Sequence, residues 1–136
     1  MPKELLVVDD ELEISSVLKA FFEQKGFHVS TVSTAQAALA QARHQPAEVI
    51  LLDVRLPDGS GLDVLSRIKS EAPNARVIMI SGYADQSTIE EARRRVESEI
   101  PDGHRTIVLA SRAWHPGVIG IVASRLLGCF GRPVIL

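Results

Sequence analysis

Four oxygen-bearing side chains follow short apolar runs of the sequence, at the points where the runs end. Asp9 and Asp10 end the first run, Asp53 ends a second and Ser81 ends a third. Three carboxylates brought together raise one another's pKa because like charges repel. A hard divalent cation relieves that repulsion, and carboxylate oxygens with retained water suit Mg²⁺. The sequence therefore predicts an acidic magnesium pocket wherever the fold brings these run ends together.

A cation in this pocket would neutralise the charge of a phosphoryl group that arrives at Asp53. Ser81 would then offer its hydroxyl to a phosphoryl oxygen. The alternative interpretation is structural, because aspartates at strand ends often cap helices or occupy turns. For a single aspartate we favour the structural interpretation, whereas the set as a whole favours a functional pocket.

The elements that would position these residues alternate along the chain as apolar run, turn and amphipathic stretch. Gly26 is typical of the residue that ends a helix, and Thr34 can cap the next one. Ser87 and Glu90 form a capping box for a fourth helix. Strands are expected at 5–8, 28–32, 49–52, 77–80, 106–110 and 133–136, and the last of the intervening helices at 116–129.

Strictly alternating strands and helices predict an α/β fold with a parallel sheet between two helix layers. The strands read as solid apolar runs, which is typical of strands buried on both faces. We expect a flavodoxin-like three-layer α/β/α sandwich with strand order 2-1-3-4-5-6. The first and third strands are neighbours in this order, and ligands bind at the carboxyl ends of such strands. The predicted fold therefore brings Asp9, Asp10 and Asp53 together.

The bulk properties of the chain exclude several classes of function. The 136 residues favour one domain, and 46% hydrophobic with 24% charged residues is an ordinary globular composition. A net charge of −2 gives no electrostatic reason to expect nucleic acid or an anionic membrane as partner. The apolar runs are too short to span a bilayer, and the single Cys129 fits a reducing compartment. We therefore expect a cytoplasmic protein with no membrane contact.

Three segments of the sequence resemble the receiver domain of two-component response regulators. They are LLVVDDE (5–11), VILLDVRLPDGSGLDVL (49–65) and VIMISGYAD (77–85), the last being similar to receivers of sigma-54-dependent activators. The resemblance implies that Asp53 is the phosphoacceptor and that Ser81 is the switch hydroxyl. It also implies direct Mg²⁺ ligation by Asp10, Asp53 and the backbone carbonyl of Arg55, with Asp9 acting through a bound water. On this basis residues 1–87 are assigned to a receiver.

The end of the fifth strand departs from the receiver pattern. A receiver carries a lysine there, usually followed by proline, and an aromatic switch residue within the strand. Here the segment reads TIVLASRAW (106–114), and no lysine lies beyond Lys69. Arg112 is not equivalent, because its guanidinium is a planar fork and a lysine is a point charge. This departure argues against efficient phosphorylation and its conformational readout.

The C-terminal segment resembles a different family. IVLASRAWHPGVIGIVASRLLGCFGRPVIL (107–136) is similar to RecJ-type single-strand exonucleases of the DHH phosphoesterase superfamily, and EEARRRVES (90–98) is compatible with the same source. Residues 88–136 are therefore assigned to a RecJ-like fragment. The aspartate and histidine clusters that bind the catalytic metal in that superfamily do not occur in it, so no nuclease activity is expected.

Our primary interpretation is an engineered chimera, a single hybrid α/β domain over residues 1–136 with no evolved activity and no enzymatic function. Its residual acidic pocket would bind Mg²⁺ weakly. The alternative is a working phosphoacceptor receiver, whose partner is a histidine kinase or a small phosphodonor. A second alternative is an inactive single-strand exonuclease fragment. If the sixth strand adds beyond the fifth, the first helix covers its sheet face almost alone, which predicts a homodimer.

Overall fold

A computed structural model of the protein describes residues 3–72, 75–80, 94 and 106–108. Its elements in chain order are β1 (Lys3–Val8), α1 (Leu12–Gln24), β2 (Phe27–Val32), α2 (Ala35–His44), β3 (Val49–Asp53), β4 (Arg55–Leu56), β5 (Gly59–Ser60), α3 (Gly61–Glu71), β6 (Arg76–Ile80) and β7 (Thr106–Val108). The four strands predicted within residues 3–80 are confirmed to within two residues at their ends, and β7 begins at the predicted residue, Thr106. The short hairpin of β4 and β5 was not predicted.

Five strands form one parallel sheet in the order β2-β1-β3-β6-β7. This is the predicted flavodoxin-like order, with β6 and β7 in the fourth and fifth places. The strands β4 and β5 form a separate antiparallel hairpin directly after β3. The predicted sixth strand (133–136) and the predicted helix at 116–129 lie outside the described residues. Of the predicted fourth helix, which would begin near Ser87, the structure describes only Arg94, in helical conformation.

The hydrophobic core lies on both faces of the sheet, which explains why the buried positions of the central strands β1 and β3 are all apolar. On one face Leu18 and Phe22 of α1 pack against the sheet. On the other face Ala38 of α2 packs with Leu65 and Ile68 of α3. Helices therefore cover both faces of the sheet, as the predicted three-layer sandwich requires. None of the helices in the described part of the chain has the length and apolar character needed to cross a membrane.

The ends of the first two helices are built as the sequence predicts. Gly26 follows α1 with a φ of 92°, a left-handed conformation that glycine adopts without steric cost. The Thr34 side chain caps α2 by accepting a hydrogen bond from the Ala37 amide at 3.1 Å. The helix α1 has no side-chain cap at Glu11, and it begins directly after the acidic pair. The position of Asp9 and Asp10 is therefore tied to the first turn of α1.

Candidate functional site

The strand register places the two acidic strand ends side by side. Val8 of β1 is paired with Leu52 of β3, so Asp9 and Asp53 follow at the same level of the sheet's carboxyl edge. One carboxylate oxygen from each of Asp9, Asp10 and Asp53 lies within 4.8 Å of the other two. The structure thus brings together the three aspartates that the sequence singled out.

The three carboxyl groups of this cluster differ in burial and in proton affinity. Asp9 is only 4% exposed, Asp53 is half-buried and Asp10 is exposed. Burial raises the pKa of Asp9 to about 6, against the opposing effect of a hydrogen bond from the Glu11 amide. Burial and then repulsion by Asp9 raise the pKa of Asp53 to about 7. The cluster therefore concentrates negative charge that a bound cation would stabilise.

Three hydrogen bonds fix Asp9 in place. Its amide donates to the Val32 carbonyl at 3.1 Å, and its Oδ1 accepts from the Glu11 amide at 2.9 Å. The buried Ser15 hydroxyl donates to the Asp9 carbonyl at 3.3 Å. Sequence reasoning missed Ser15, although a signal existed. A serine next to Ile14, on the face of α1 that packs against the sheet, needs a hydrogen-bond partner when it is buried.

The hairpin of β4 and β5 folds back over the peptide group of Asp53. The Arg55 amide donates to Oδ1 of Asp53 at 3.2 Å, and the Gly61 amide donates to the Val54 carbonyl at 2.7 Å. A Cβ atom at Gly61 would lie 2.0 Å from the carbonyl oxygen of Asp53. Glycine is therefore required for this close approach, which sets the backbone position of Asp53.

Asp58, at the turn of this hairpin, is a second residue that sequence reasoning missed. Its carboxylate accepts hydrogen bonds from the amides of Ala35 and Gln36 in the first turn of α2. These bonds hold the pKa of Asp58 below its ordinary value. The segment Pro57–Gly59 is typical of a turn, and its sequence carries no signal for a partner more than twenty residues away.

One further residue of the expected site lies outside the described part of the chain. Ser81 follows Ile80, whose backbone is paired with Asp53, but Ser81 itself is not among the described residues. Arg112, which we do not expect to replace the receiver lysine, is likewise outside the described residues. The role of Ser81 as switch hydroxyl therefore stays a prediction.

Comparison with known proteins identifies the class to which this fold and pocket belong. The family model described as "Response regulator receiver domain" matches residues 5–97. Because the match covers more than half of the chain, the protein belongs to the response regulator receiver domain family.

Bacterial regulatory proteins are among the relatives of the chain. It is 39% identical over 80 residues to the probable transcriptional regulatory protein TcrX of Mycobacterium tuberculosis, an alignment that covers 59% of this chain and 34% of TcrX. It is 32% identical over 119 residues to the nitrogen assimilation regulatory protein NtrX of Azorhizobium caulinodans, covering 83% of this chain and 26% of NtrX. The chain therefore spans only about a third of TcrX and a quarter of NtrX.

Solved receiver structures share the fold. The CheY-like receiver protein of Methanospirillum hungatei gives a TM-score of 0.72 at 22% identity, covering 95% of this chain and 97% of that one. The NtrX receiver domain of Brucella abortus gives 0.69 at 28% identity, with coverages of 91% and 98%. A response regulator of Burkholderia pseudomallei, solved with a phosphorylated aspartic acid, a calcium ion and citrate, gives 0.68 at 26% identity, with coverages of 93% and 71%.

The primary prediction of an engineered chimera is wrong. The family match continues to residue 97, past the predicted join at 87, and the alignment with NtrX covers most of the chain. The comparisons give no support to a RecJ-like fragment at 88–136. The physical reason for the error is that a missing lysine removes part of a site and leaves the fold intact. The strand β7, inside the segment assigned to the other family, takes the fifth place in the receiver sheet.

The donor set of the pocket fits a magnesium ion. Receiver domains bind Mg²⁺ at an acidic pocket, and the cluster of Asp9, Asp10 and Asp53 is compatible with such a site. All three donors are carboxylate oxygens, the hard ligands that Mg²⁺ prefers. Burial, together with repulsion between the carboxylates, raises the pKa of Asp9 to about 6 and that of Asp53 to about 7, and a bound cation would favour the ionised form of both groups.

Proposed function

We propose that this chain is a working phosphoacceptor receiver of two-component signalling, with Asp53 as the acceptor. The observation that carries the proposal is the register of β1 and β3, which places Asp53 beside Asp9 and Asp10 at one edge of the sheet. The Burkholderia pseudomallei regulator, 26% identical to this chain, carries a phosphorylated aspartic acid together with a divalent cation.

In the proposed reaction, a carboxylate oxygen of Asp53 attacks the phosphorus of a phosphodonor. A bond forms between that oxygen and phosphorus, and the bond from phosphorus to the donor's leaving atom breaks with its electron pair. When it is bound, Mg²⁺ neutralises charge on the phosphoryl oxygens. Asp10, Asp53 and the carbonyl of Arg55 would hold the ion directly, with Asp9 acting through a water. Ser81 would donate its hydroxyl to a phosphoryl oxygen.

Backbone groups of the β4–β5 hairpin and of Gly61 hold the acceptor, Asp53, in place. The Arg55 amide donates to one oxygen of the Asp53 carboxylate, which fixes the rotation of the carboxyl group. Gly61 sets the position of the Asp53 backbone from the other side. Positioning of this kind can supply a large part of the barrier reduction in a phosphoryl transfer.

Receiver domains accept phosphoryl groups from histidine kinases or small phosphodonors, and one of these would be the partner of this chain. It would act as the acceptor in that exchange and have no catalytic activity on a separate substrate. A cytoplasmic location, a homodimer and a single domain over residues 1–136 stay predictions.

Beryllofluoride, a mimic of the phosphoryl group, tests the proposal through backbone amide signals. Addition with Mg²⁺ should shift the amides of Asp10 and Arg55 in wild-type protein. Asp53→Asn removes one ligand oxygen and should abolish the shift. Asp63→Asn, an exposed aspartate on α3, is the matched control and should respond like wild type. Wild-type signals that do not respond to beryllofluoride with Mg²⁺ would contradict the proposal.

A further inference from the structure

The carboxylate of Asp58 joins two parts of the structure that are distant in sequence. Asp58 lies at the turn between β4 and β5. Its Oδ1 accepts from the Ala35 amide at 2.7 Å, and its Oδ2 accepts from the Gln36 amide at 3.0 Å. Both oxygens of one side chain are thus used on consecutive amides of α2.

The helix α2 depends on this contact for the acceptors of its first two amides. The first amides of a helix have no partners within the helix and need acceptors from outside. The Thr34 side chain supplies the acceptor for Ala37, and Asp58 supplies the acceptors for Ala35 and Gln36. The Ala38 amide donates to the Thr34 carbonyl, which is the first hydrogen bond of the helix itself. The first turn of α2 contains no acidic residue of its own, so Asp58 also provides the negative charge that the helix dipole favours there.

The other end of the same hairpin is attached to the acceptor. The amide of Arg55, the first residue of β4, donates to the Asp53 carboxylate at 3.2 Å. At the far end of β5, the Gly61 amide donates to the Val54 carbonyl, next to Asp53. The hairpin is therefore held at Asp53 by its base and at α2 by its turn.

We propose that Asp58 is a positioning residue of the phosphoryl site, which ties the acceptor hairpin to the first turn of α2. This inference rests on the proposed function of Asp53. Without Asp58 the turn of the hairpin is released, and Arg55 loses its fixed position beside the acceptor. Because energetic coupling between two sites is reciprocal, occupancy of the acidic pocket must in turn stabilise the contact of Asp58 with α2.

Three variants separate this role from simple capping of a helix. Asp58→Ala removes both acceptor oxygens, Asp58→Asn keeps one neutral acceptor, and Thr34→Ala removes a cap of the same helix without touching the hairpin. For Asp58→Ala we expect Mg²⁺ affinity about tenfold below wild type, the lower end of the effect of residues that orient metal ligands. The Mg²⁺ affinity of Asp58→Asn should lie between those of wild type and Asp58→Ala. Thr34→Ala should have a lower melting temperature than wild type but the same Mg²⁺ affinity.

Hydrogen exchange is a second measurement. If Asp58 only capped α2, Mg²⁺ would not change the exchange rates of the α2 amides. In wild-type protein and in Thr34→Ala, Mg²⁺ should slow exchange at the amides of Ala35 and Gln36. If wild type binds Mg²⁺ but these amides do not respond and Asp58→Ala binds equally well, the role of Asp58 is refuted while the proposed function stands. If wild type itself binds no Mg²⁺, the proposed function fails and this inference fails with it.

Discussion

Gly61→Ala tests whether the backbone position of the acceptor controls phosphorylation. The added methyl carbon would lie 2.0 Å from the carbonyl oxygen and 2.9 Å from the carbonyl carbon of Asp53. Carbon atoms at this position in proteins do not approach other atoms closer than 3.0 Å, so the Asp53 peptide must move by about 1 Å. The contacts are with backbone, and a side-chain rotation therefore cannot relieve the clash.

A displacement of this size has predictable consequences for rate and stability. Misplacement of a reacting group by about 1 Å costs on the order of 100-fold in rate, and we expect that loss for phosphorylation of Asp53. Overpacking of a well-packed site costs about 1–3 kcal/mol in the free energy of unfolding. Gly61→Ala should therefore fold with a lowered melting temperature and react slowly.

Gly59→Ala is the matched control, since Gly59 lies in the same hairpin and an added Cβ there meets nothing within 4 Å. Both variants would be reacted with acetyl phosphate and Mg²⁺ below their melting temperatures, and phosphorylated protein would be followed by intact mass. Gly59→Ala should react like wild type. A folded Gly61→Ala protein that is phosphorylated at the wild-type rate would refute the claim that this close approach positions the acceptor.

Two further predictions follow from the raised pKa values. The pKa of Asp53, raised to about 7, means that the folded state binds more protons than the unfolded state between about pH 4 and 7. The free energy of unfolding therefore falls as the pH rises from about 4 to about 7, and the stability that the protonated Asp53 allows is fully lost above pH 7. In the absence of metal, Asp53→Asn should therefore unfold at higher denaturant concentration than wild type at pH 8, and the difference should vanish near pH 4. The shift sets a ceiling of about 4 kcal/mol on the gain, and solvent screening of this half-buried carboxyl reduces it to about 1–2 kcal/mol. A less stable Asp53→Asn protein at pH 8 would contradict this electrostatic account. Mg²⁺ requires the ionised carboxylates, and with pKa values of about 6 for Asp9 and about 7 for Asp53 its affinity should fall about 20-fold from pH 8 to pH 6. Calorimetric titration at the two pH values measures this, and equal affinities would show that the two groups are already ionised at pH 6.

The sheet and the acidic cluster could be predicted from the sequence because both follow from local patterns. Solid apolar runs identify strands buried on two faces, and their regular alternation with helices restricts the strand order. Once β1 and β3 are neighbours, Asp9 and Asp53 must meet, whatever the details of packing. Thr34 and Gly26 were predictable for the same reason, since caps act on residues within one turn of the chain.

The contacts that hold the acceptor could not be predicted, because they join residues that no local pattern relates. The hydrogen bonds between Asp58 and α2 depend on how the β4–β5 hairpin, whose strands have two residues each, lies at the carboxyl edge of the sheet. The bond from Ser15 to the Asp9 carbonyl depends on the rotation of α1 about its axis. The error about chimeric origin has a different cause. The predicted change of family rested on the missing lysine near the end of the fifth strand and on the resemblance of residues 107–136 to another family, although site residues and fold can vary independently.

Phosphorylation of Asp53 itself is the most direct test of the proposed function. The full chain would be incubated with acetyl phosphate in the presence and absence of Mg²⁺, and the modified residue located by reduction of the acyl phosphate and peptide mass analysis. We expect one phosphoryl group, on Asp53, which forms only with Mg²⁺ and is absent from Asp53→Asn. A wild-type protein that acquires no phosphoryl group, or that carries it on another residue, would contradict the assignment of this chain as a working phosphoacceptor.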